Sequence, residues 1–588
     1  MDKKLLQVAE GKAAADLVIT NGKIVDVYTG EIYEGGVAIA GDKIAAVGDV
    51  AYAIGEGTTG MDAEGAFLTP GFLDGHIHPE SSSLSIRSFA QIVLQHGTTG
   101  IMTDLHEIGV VGGLEAIEAV LDEAKDTDLQ VHFIVPSHVP FAPNLETSGG
   151  HFNPEIIRKA LDREDAVGLS ECVAGYIATD YDELFEAMDE TRARGGMTLQ
   201  GHLPHATGPM LNKCVAAGIF TDHEAFEGNQ IIDLLRHGVH AMMREGSVAR
   251  GLVPCLKPVL EKGIDTSRLS IVTDDLHTVD AVRRGHLDDH LRTAFSIGLP
   301  FVKGIQMVTL NCARAFKMDD VIGGLAPGRR ADINFTTGAE DFKVLKTIAG
   351  GKLVSEGGRF LNPYPVAEHK PCLLNTTRLK NPITPDSFNI YTDKDAKAAD
   401  VVVIQTMDWI PIGVPRHEIV PVKDGVVQCD VEKDVLYVSQ VERYGINGNI
   451  GNAFMGGFNL KRGAIASSVG HDNHNIIVLG TNHEDMAVAV NRLIDIGGGT
   501  IVVDAGEVLQ EIAYPVCGLL SDLPAEELAA RKEEMIAKIH EMGSNIFFPF
   551  MFLSFLCLAA MGGKVITDHG LIDCDLQQPI SPILSIEK

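Results

Sequence analysis

The sequence predicts an α/β chain built on a (β/α)8 TIM-type barrel, with a small composite β-sandwich domain and an additional C-terminal α/β domain. Three observations predict it. Eight short apolar runs alternate with helix-forming stretches in the middle of the chain. Gly-punctuated, β-like segments lie on both sides of that alternation, and the composition changes again past Pro363. Strands alternating with helices call for parallel pairing through crossover helices, and eight such units in about 250 residues suit a closed barrel. A doubly wound open sheet shares the alternation and is the alternative.

The opening runs DLVITNGKIVDV, GGVAIAGDKIAAVG and GTTGMDAEGAFLTPG read as hairpin strands, with Val and Ile alternating between turn residues. GRRADINFTT and LKTIAGGKLVSEG, between Gly328 and Gly358, repeat the pattern. Residues 1–68 and 326–362 are therefore assigned to one composite β domain, and 69–325 to the barrel. The eight barrel runs are GAFLTPGFLDGHIH, TTGIMTD, QVHFIVPS, AVGLSEC, MTLQGH, AGIFTDH, HAMMREG and RLSIVTDD. Helices are predicted over residues 114–125 and 182–194, among others. The Pro/Asn/Thr-rich HKPCLLNTTRLKNPITPDSF marks a meandering connection into a C-terminal domain, 363–588. That domain carries the β-like VVVIQTM, VLYVSQVERYG, HNIIVLG and TIVVDAG. It also carries one amphipathic helix, with Leu528, Met535, Ile539 and Met542 on a stripe and Asp522 and Pro524 at its start.

Composition narrows the function classes. In 588 residues, hydrophobic side chains make up 45% and charged ones 22%, the mix of a folded soluble protein. Lys+Arg 48 against Asp+Glu 80 leaves a net charge of −32, which repels a phosphate backbone and an anionic membrane face. Nine scattered cysteines without a C-x-x-C pair predict reduced thiols and a cytoplasmic protein. The apolar run at 547–561 is interrupted by Pro549 and Ser554 and falls short of the ~20 residues a membrane span needs, so a buried core segment is expected. Its apolar face also suggests a homo-oligomer, a dimer or tetramer.

The chemistry is concentrated where barrel enzymes keep it, at the C-terminal ends of strands. His76 and His78 follow the first run, and residues i and i+2 of a strand point the same way, so both imidazoles can meet one ion. Strand two ends in Thr103-Asp104-Leu105-His106-Glu107, strand four in Glu171, strand five in His202 and strand six in His223-Glu224. Strand seven ends in Arg244-Glu245 and strand eight in Asp274-Asp275. Singly, each is a helix cap or a loop charge. Together, two histidines, a carboxylate able to bridge, two more histidines and an aspartate suffice for two divalent ions. Such a pair activates water at neutral pH. Carboxylate-rich ligands without thiolate suit manganese, iron(II) or zinc alike; manganese is the first expectation, with iron(II) or zinc as alternatives. The H-x-E with P-C-x-x-C signature of zinc deaminases acting on nucleic acid is absent.

With PGFLDGHIH, GGLAPGRRADI and the split β domain, the chain resembles the amidohydrolase superfamily. DGHIHPESS, DLHEI, HEAFEG, REGSVARGL, TDD and GHDNHNIIVLG make it similar to the bacterial adenine deaminase family over nearly its whole length. The resemblance implies metal-dependent hydrolytic deamination of adenine to hypoxanthine and ammonia, in purine salvage. Another aminopurine or a pterin, or cyclic-amide hydrolysis, is the alternative. By the same resemblance His76, His78 and Asp274 bind one ion, Glu171 bridges, and His202 and His223 bind the second. Asp274 then moves the proton of the attacking water, and Glu107 is a metal-facing or proton-shuttling carboxylate. Ser81, Ser82, Arg244 and Asp275 are candidate substrate contacts. His471 and His474 are either a further metal or gating element or a polar turn. Leu105 stands where the family commonly has proline, and Leu-His-Thr follows Asp275 where Arg-Asn-Pro is usual; both departures bear on the choice of substrate.

Overall fold

The computed structural model describes residues 2–407, 410–559 and 562–588. Its centre is one sheet of eight strands, every neighbouring pair parallel. They are β1 (Phe72–Asp74), β2 (Thr98–Thr103), β3 (Gln130–Pro136), β4 (Ala166–Val173), β5 (Thr198–His202), β6 (Thr221–Asp222), β7 (His240–Arg244) and β8 (Leu269–Val272). These are the eight predicted runs. They read as continuous apolar stretches because a parallel barrel strand is buried on both faces. Inside, Leu73, Met102, Ile134, Met242 and Val272 pack with Cys312 and Phe316 into a plug. The ring closes past the ends of β1 and β8: the Asp274 N–H donates to His76 O (3.0 Å) and the His78 N–H to Asp274 O (3.1 Å). Three candidate ligands thus form the last seam of the barrel.

GAFLTPGFLDGHIH reads as one strand in the sequence but folds as two. Phe67–Pro70 belongs to the small domain and β1 to the barrel, with Gly71 between them. A Cβ on Gly71 would meet the Thr99 and Asp332 side chains, so only glycine lets the chain change sheets there. The small domain is one hydrogen-bonded sheet of nine strands drawn from both chain segments. Phe67–Pro70 pairs antiparallel with Ile333–Thr336, which joins the N-terminal hairpins to the strands past the barrel. Apolar residues are buried on both of its faces, Ile19, Ile39, Leu68 and Phe335 in one cluster and Val18, Ala38 and Ala45 in another.

The crossover helix expected over 114–125 begins earlier, at His106 (His106–Ala124), and bends at Gly113 (φ 66°). Glycines 109, 112 and 113 lower helix propensity and hid this first turn from the sequence. The Asp104 side chain accepts the His106 N–H (3.1 Å) and starts the turn, so Glu107 projects from a helix start instead of a loop. Leu105 just before it has φ 49°, a backbone that proline, locked near −65°, cannot take. The departure from the family pattern at this position therefore has a local cause. Asp182–Arg194 is a helix as expected.

In the C-terminal domain, helix His483–Asp495 covers strands of a ten-stranded sheet, and a three-stranded sheet lies near the end of the chain. The predicted amphipathic helix is Ala525–Glu541, with Pro524 as its N-cap and Leu528, Met535 and Ile539 buried. The run 547–561 forms the short helix Pro549–Phe555, whose Met551, Phe552, Leu553 and Phe555 are buried within this same chain. Its last two residues lie outside the described residues. The apolar face that suggested a subunit contact is thus already covered, which removes that reason for an oligomer. No helix among the described residues is long and apolar enough to cross a membrane.

A buried lysine joins this domain to the barrel. Lys532 Nζ donates to Ser82 O (3.1 Å), Ser83 Oγ (3.1 Å) and Thr278 Oγ1 (3.2 Å), none of them a full charge. Burial pushes its pKa from 10.5 down to about 7. The folded pKa lies below the unfolded one, so the cost is complete below pH 7, shrinks as pH rises, and is gone above about 10.5. Wild-type stability should therefore gain up to about 1.4 kcal/mol per pH unit from this group between those limits. Denaturant unfolding at pH 7.5 and 9.5 checks it: Lys532→Met should lose that slope, and equal slopes in the two proteins would refute the assignment.

Candidate metal centre at the barrel mouth

His76 and His78 leave β1 on the same side, Glu171 ends β4, His202 ends β5, His223 follows β6 and Asp274 follows β8. Their ligand atoms surround one point. Glu171 Oε1 lies 3.7 Å from His76 Nε2, 3.7 Å from His78 Nε2, 3.6 Å from His202 Nδ1 and 3.5 Å from His223 Nε2. Asp274 Oδ1 lies 3.3 Å from His76 Nε2 and 3.6 Å from His78 Nε2. These separations are long for hydrogen bonds and suit ligands that share an ion. His76 Nε2 and both ring nitrogens of His202 are buried without a hydrogen-bond partner among the described residues. Buried polar atoms are seldom left so, and a pair of divalent cations fits this donor set. Three overlapping ligand groups, His76/His223/Asp274, His76/His78/Glu171 and Glu171/His202/His223, cover the centre.

The backbone bends sharply to place two of these groups. Glu171 (φ 47°) and Asp274 (φ 60°) both adopt the left-handed conformation, which a β-carbon makes costly. Behind the ligands lies a layer that orients them. His76 Nδ1 pairs with Gln200 Oε1 (3.1 Å), and His78 Nδ1 faces Asp104 Oδ1 (3.2 Å). Ser170 Oγ donates to Asp104 Oδ2 (2.8 Å), and Asp74 accepts from Thr273 Oγ1 (2.6 Å). A hydrogen bond on the far nitrogen sets which nitrogen of a liganding imidazole faces the ion.

The candidate substrate contacts divide. Arg244 Nη1 donates to Asp274 Oδ2 (2.6 Å) and Glu224 Oε1 (3.0 Å), so it first serves as a partner of the centre's carboxylates. Ser81 Oγ donates to Asp275 Oδ1 (2.5 Å), a pair at the edge of the centre. Ser82 is a correction: its hydroxyl donates to Pro79 O (2.6 Å) and accepts the Leu84 N–H (3.1 Å), so it closes its own turn. Glu107 stands on the outer side of His78, with Oε1 3.8 Å from Nδ1. The Leu-His-Thr segment after Asp275 packs against the C-terminal domain, His277 stacking on Phe548 at 4.1 Å between ring centres.

Three further side chains stand at the centre; the sequence offered Glu224 only as a strand-end charge and Asp472 only between His471 and His474, and gave no sign of Glu80. Glu224, fully buried, lies 3.2 Å from His223 Nε2. Burial pushes its carboxyl up, but Arg244 and the two histidines outweigh that and hold it well below the usual carboxylate range. Its place next to His223 was visible, but its inward aim was not. Glu80 is buried beside Glu107, and burial first, then that neighbour's charge, raise its pKa to about 8. Asp472, from the C-terminal domain, lines the cleft over the centre together with Phe141, Phe226, Arg244, Asp275 and Phe555. The cleft encloses about 1260 Å³, mouth included.

A parallel eight-stranded barrel with four imidazoles and two carboxylates at its mouth defines an amidohydrolase-type hydrolase. Residues 67–354 match the amidohydrolase family, and residues 414–578 match the adenine deaminase C-terminal domain. The chain is 39% identical over 582 residues to an adenine deaminase of Clostridium botulinum (strain ATCC 19397 / Type A), covering 98% of this chain and 96% of that one. It is 38% identical to an adenine deaminase of Moorella thermoacetica over 97% of this chain and 96% of the relative. It is 35% identical to adenine deaminase 4 of Rhizobium meliloti, again over 97% and 96%. The chain belongs to the adenine deaminase family.

Proposed function

We propose that this protein hydrolyses adenine to hypoxanthine and ammonia, using two divalent metal ions held by His76, His78, Glu171, His202, His223 and Asp274. The observation that carries the reading is the convergence of four imidazoles on one oxygen of Glu171, in a chain that matches adenine deaminases from end to end. Bound at these residues, the cations supply the Lewis acidity that makes water a nucleophile near neutral pH.

The side chains do the rest. Asp274 faces the centre through Oδ1, while Arg244 holds its Oδ2. It accepts the proton of the attacking water and later gives it to the departing amine. Burial pushes the Glu107 carboxyl up, but His471 and His474 outweigh that and keep it well below the usual carboxylate range, so it starts and ends as a carboxylate. It takes the second proton of the attacking water from the adduct's hydroxyl and passes it to a ring nitrogen, so that negative charge does not build up on the purine. Phe141, Phe226 and Phe555 offer aromatic walls to a flat base. Manganese is our first choice of ion, because N- and O-ligands without thiolate accept it. Nine free thiols suit a reducing, cytoplasmic compartment, and the reaction itself is a step of purine salvage.

Chelation followed by reconstitution tests the proposal. The chelated protein should release no ammonia from adenine, and added Mn²⁺ should restore release with two ions bound per chain. Dihydrouracil and hydantoin should remain untouched. Reconstituted protein that opens either ring and leaves adenine unchanged would move the activity to cyclic amides.

A further inference from the structure

The loop at residues 470–475 reaches into the barrel mouth from the C-terminal domain. It is tied there by backbone and side chains alike. The His471 N–H donates to Ser554 O (3.1 Å), Asn473 Nδ2 to Glu146 Oε2 (3.3 Å) and Asn475 Nδ2 to Thr147 O (2.9 Å). Both of its imidazoles meet one oxygen of Glu107. His474 Nε2 hydrogen-bonds Oε2 directly, and His471 Nδ1 lies 3.3 Å from the same atom. His471 is itself braced by carboxylates on either side: Asp472 Oδ1 contacts Nδ1, and Asp275 Oδ1 lies 3.6 Å from Nε2. The other Glu107 oxygen, Oε1, is buried and makes no hydrogen bond among the described residues. Glu107 opens on a cavity that adjoins the metal cleft, with His471 and Phe555 lining both.

We propose that His471 and His474 are positioning residues: His474 holds Glu107 by Oε2 and His471 packs against the same oxygen, which leaves Oε1 unpaired for the proton relay. The inference rests on the deaminase reading given above and extends it to the C-terminal domain, which thereby completes the catalytic site. A glutamate has three side-chain torsions, and the His474 hydrogen bond to one oxygen, with His471 packed against it, restricts them. Misplacing a reacting group by about 1 Å can cost on the order of 100-fold in rate. The donor atoms of Glu107, His471 and His474 also lie within 4.8 Å of one another, the spacing of a cation site. The direct hydrogen bond from His474 favours the clamp over an ion.

Steady-state kinetics with metal analysis tests the clamp on the full-length, Mn²⁺-loaded protein. His474→Ala should lower kcat for adenine by about 100-fold, leave KM within about threefold, and keep both metal ions. His474→Gln places an amide nitrogen near the position of Nε2 and should recover at least about tenfold of that loss. In a Glu107→Gln background, His474→Ala should cost nothing further. Three results would overturn the clamp: Ala and Gln variants equally slow, an additive loss in the Glu107→Gln background, or a third metal equivalent that disappears with His474. A wild type that leaves adenine untouched would overturn the deaminase reading instead, so the two failures are told apart.

Discussion

Asp274→Asn is expected to bind its two metal ions and lose about 10²–10⁴-fold in kcat, the range that a positioned acid–base group contributes. The amide keeps an oxygen where Oδ1 lies 3.3 Å from His76 Nε2, so the ligand shell survives. It cannot take a proton at neutral pH, so the shuttle from water to leaving amine fails. Arg244 sharpens the prediction. Burial raises the Asp274 pKa, but Arg244 first and then His76 and His223 outweigh it and keep the carboxylate charged. An asparagine would face the same guanidinium with half its charge complement removed, and KM for adenine should change little. Metal analysis beside steady-state kinetics decides it, and a near-normal kcat with full metal occupancy would remove Asp274 from the proton path.

Glu171→Ala should have the larger effect on assembly. One oxygen of Glu171 lies within 3.7 Å of a ring nitrogen from each of the four histidines. Without it the imidazoles face a gap with no bridging anion, and two cations close together repel each other unscreened. At least one of the two ions should be lost on purification, with adenine turnover down by on the order of 10⁴-fold and little recovery in excess Mn²⁺. Alanine must also adopt φ 47°, a left-handed conformation that its β-carbon makes costly. Two ions per chain and measurable turnover in this variant would show that the histidines hold the centre without a bridge.

Legibility followed the reach of each interaction. The eight strands could be read because burial on both faces writes a continuous apolar run into each of them, and the ligands because a barrel aligns strand ends at one mouth. The start of the second crossover helix could not, since three glycines masked it and one buried aspartate initiates it. Ser82 looked like a substrate contact from its place after H-x-H, yet its own turn consumes the hydroxyl. The 547–561 run looked like a subunit face, and the chain folds that face inward.

Periodic burial and the i, i+2 geometry of a strand are local properties, and so the amino-acid order alone determined the barrel, the composite sheet and the six candidate ligands. Which groups stand next to those ligands was decided in three dimensions. Glu107 and His474 are 367 residues apart, and no spacing or periodicity connects them. Only the docking of one domain on another brings them together, because an interdomain hydrogen bond depends on where two independently patterned surfaces come to rest.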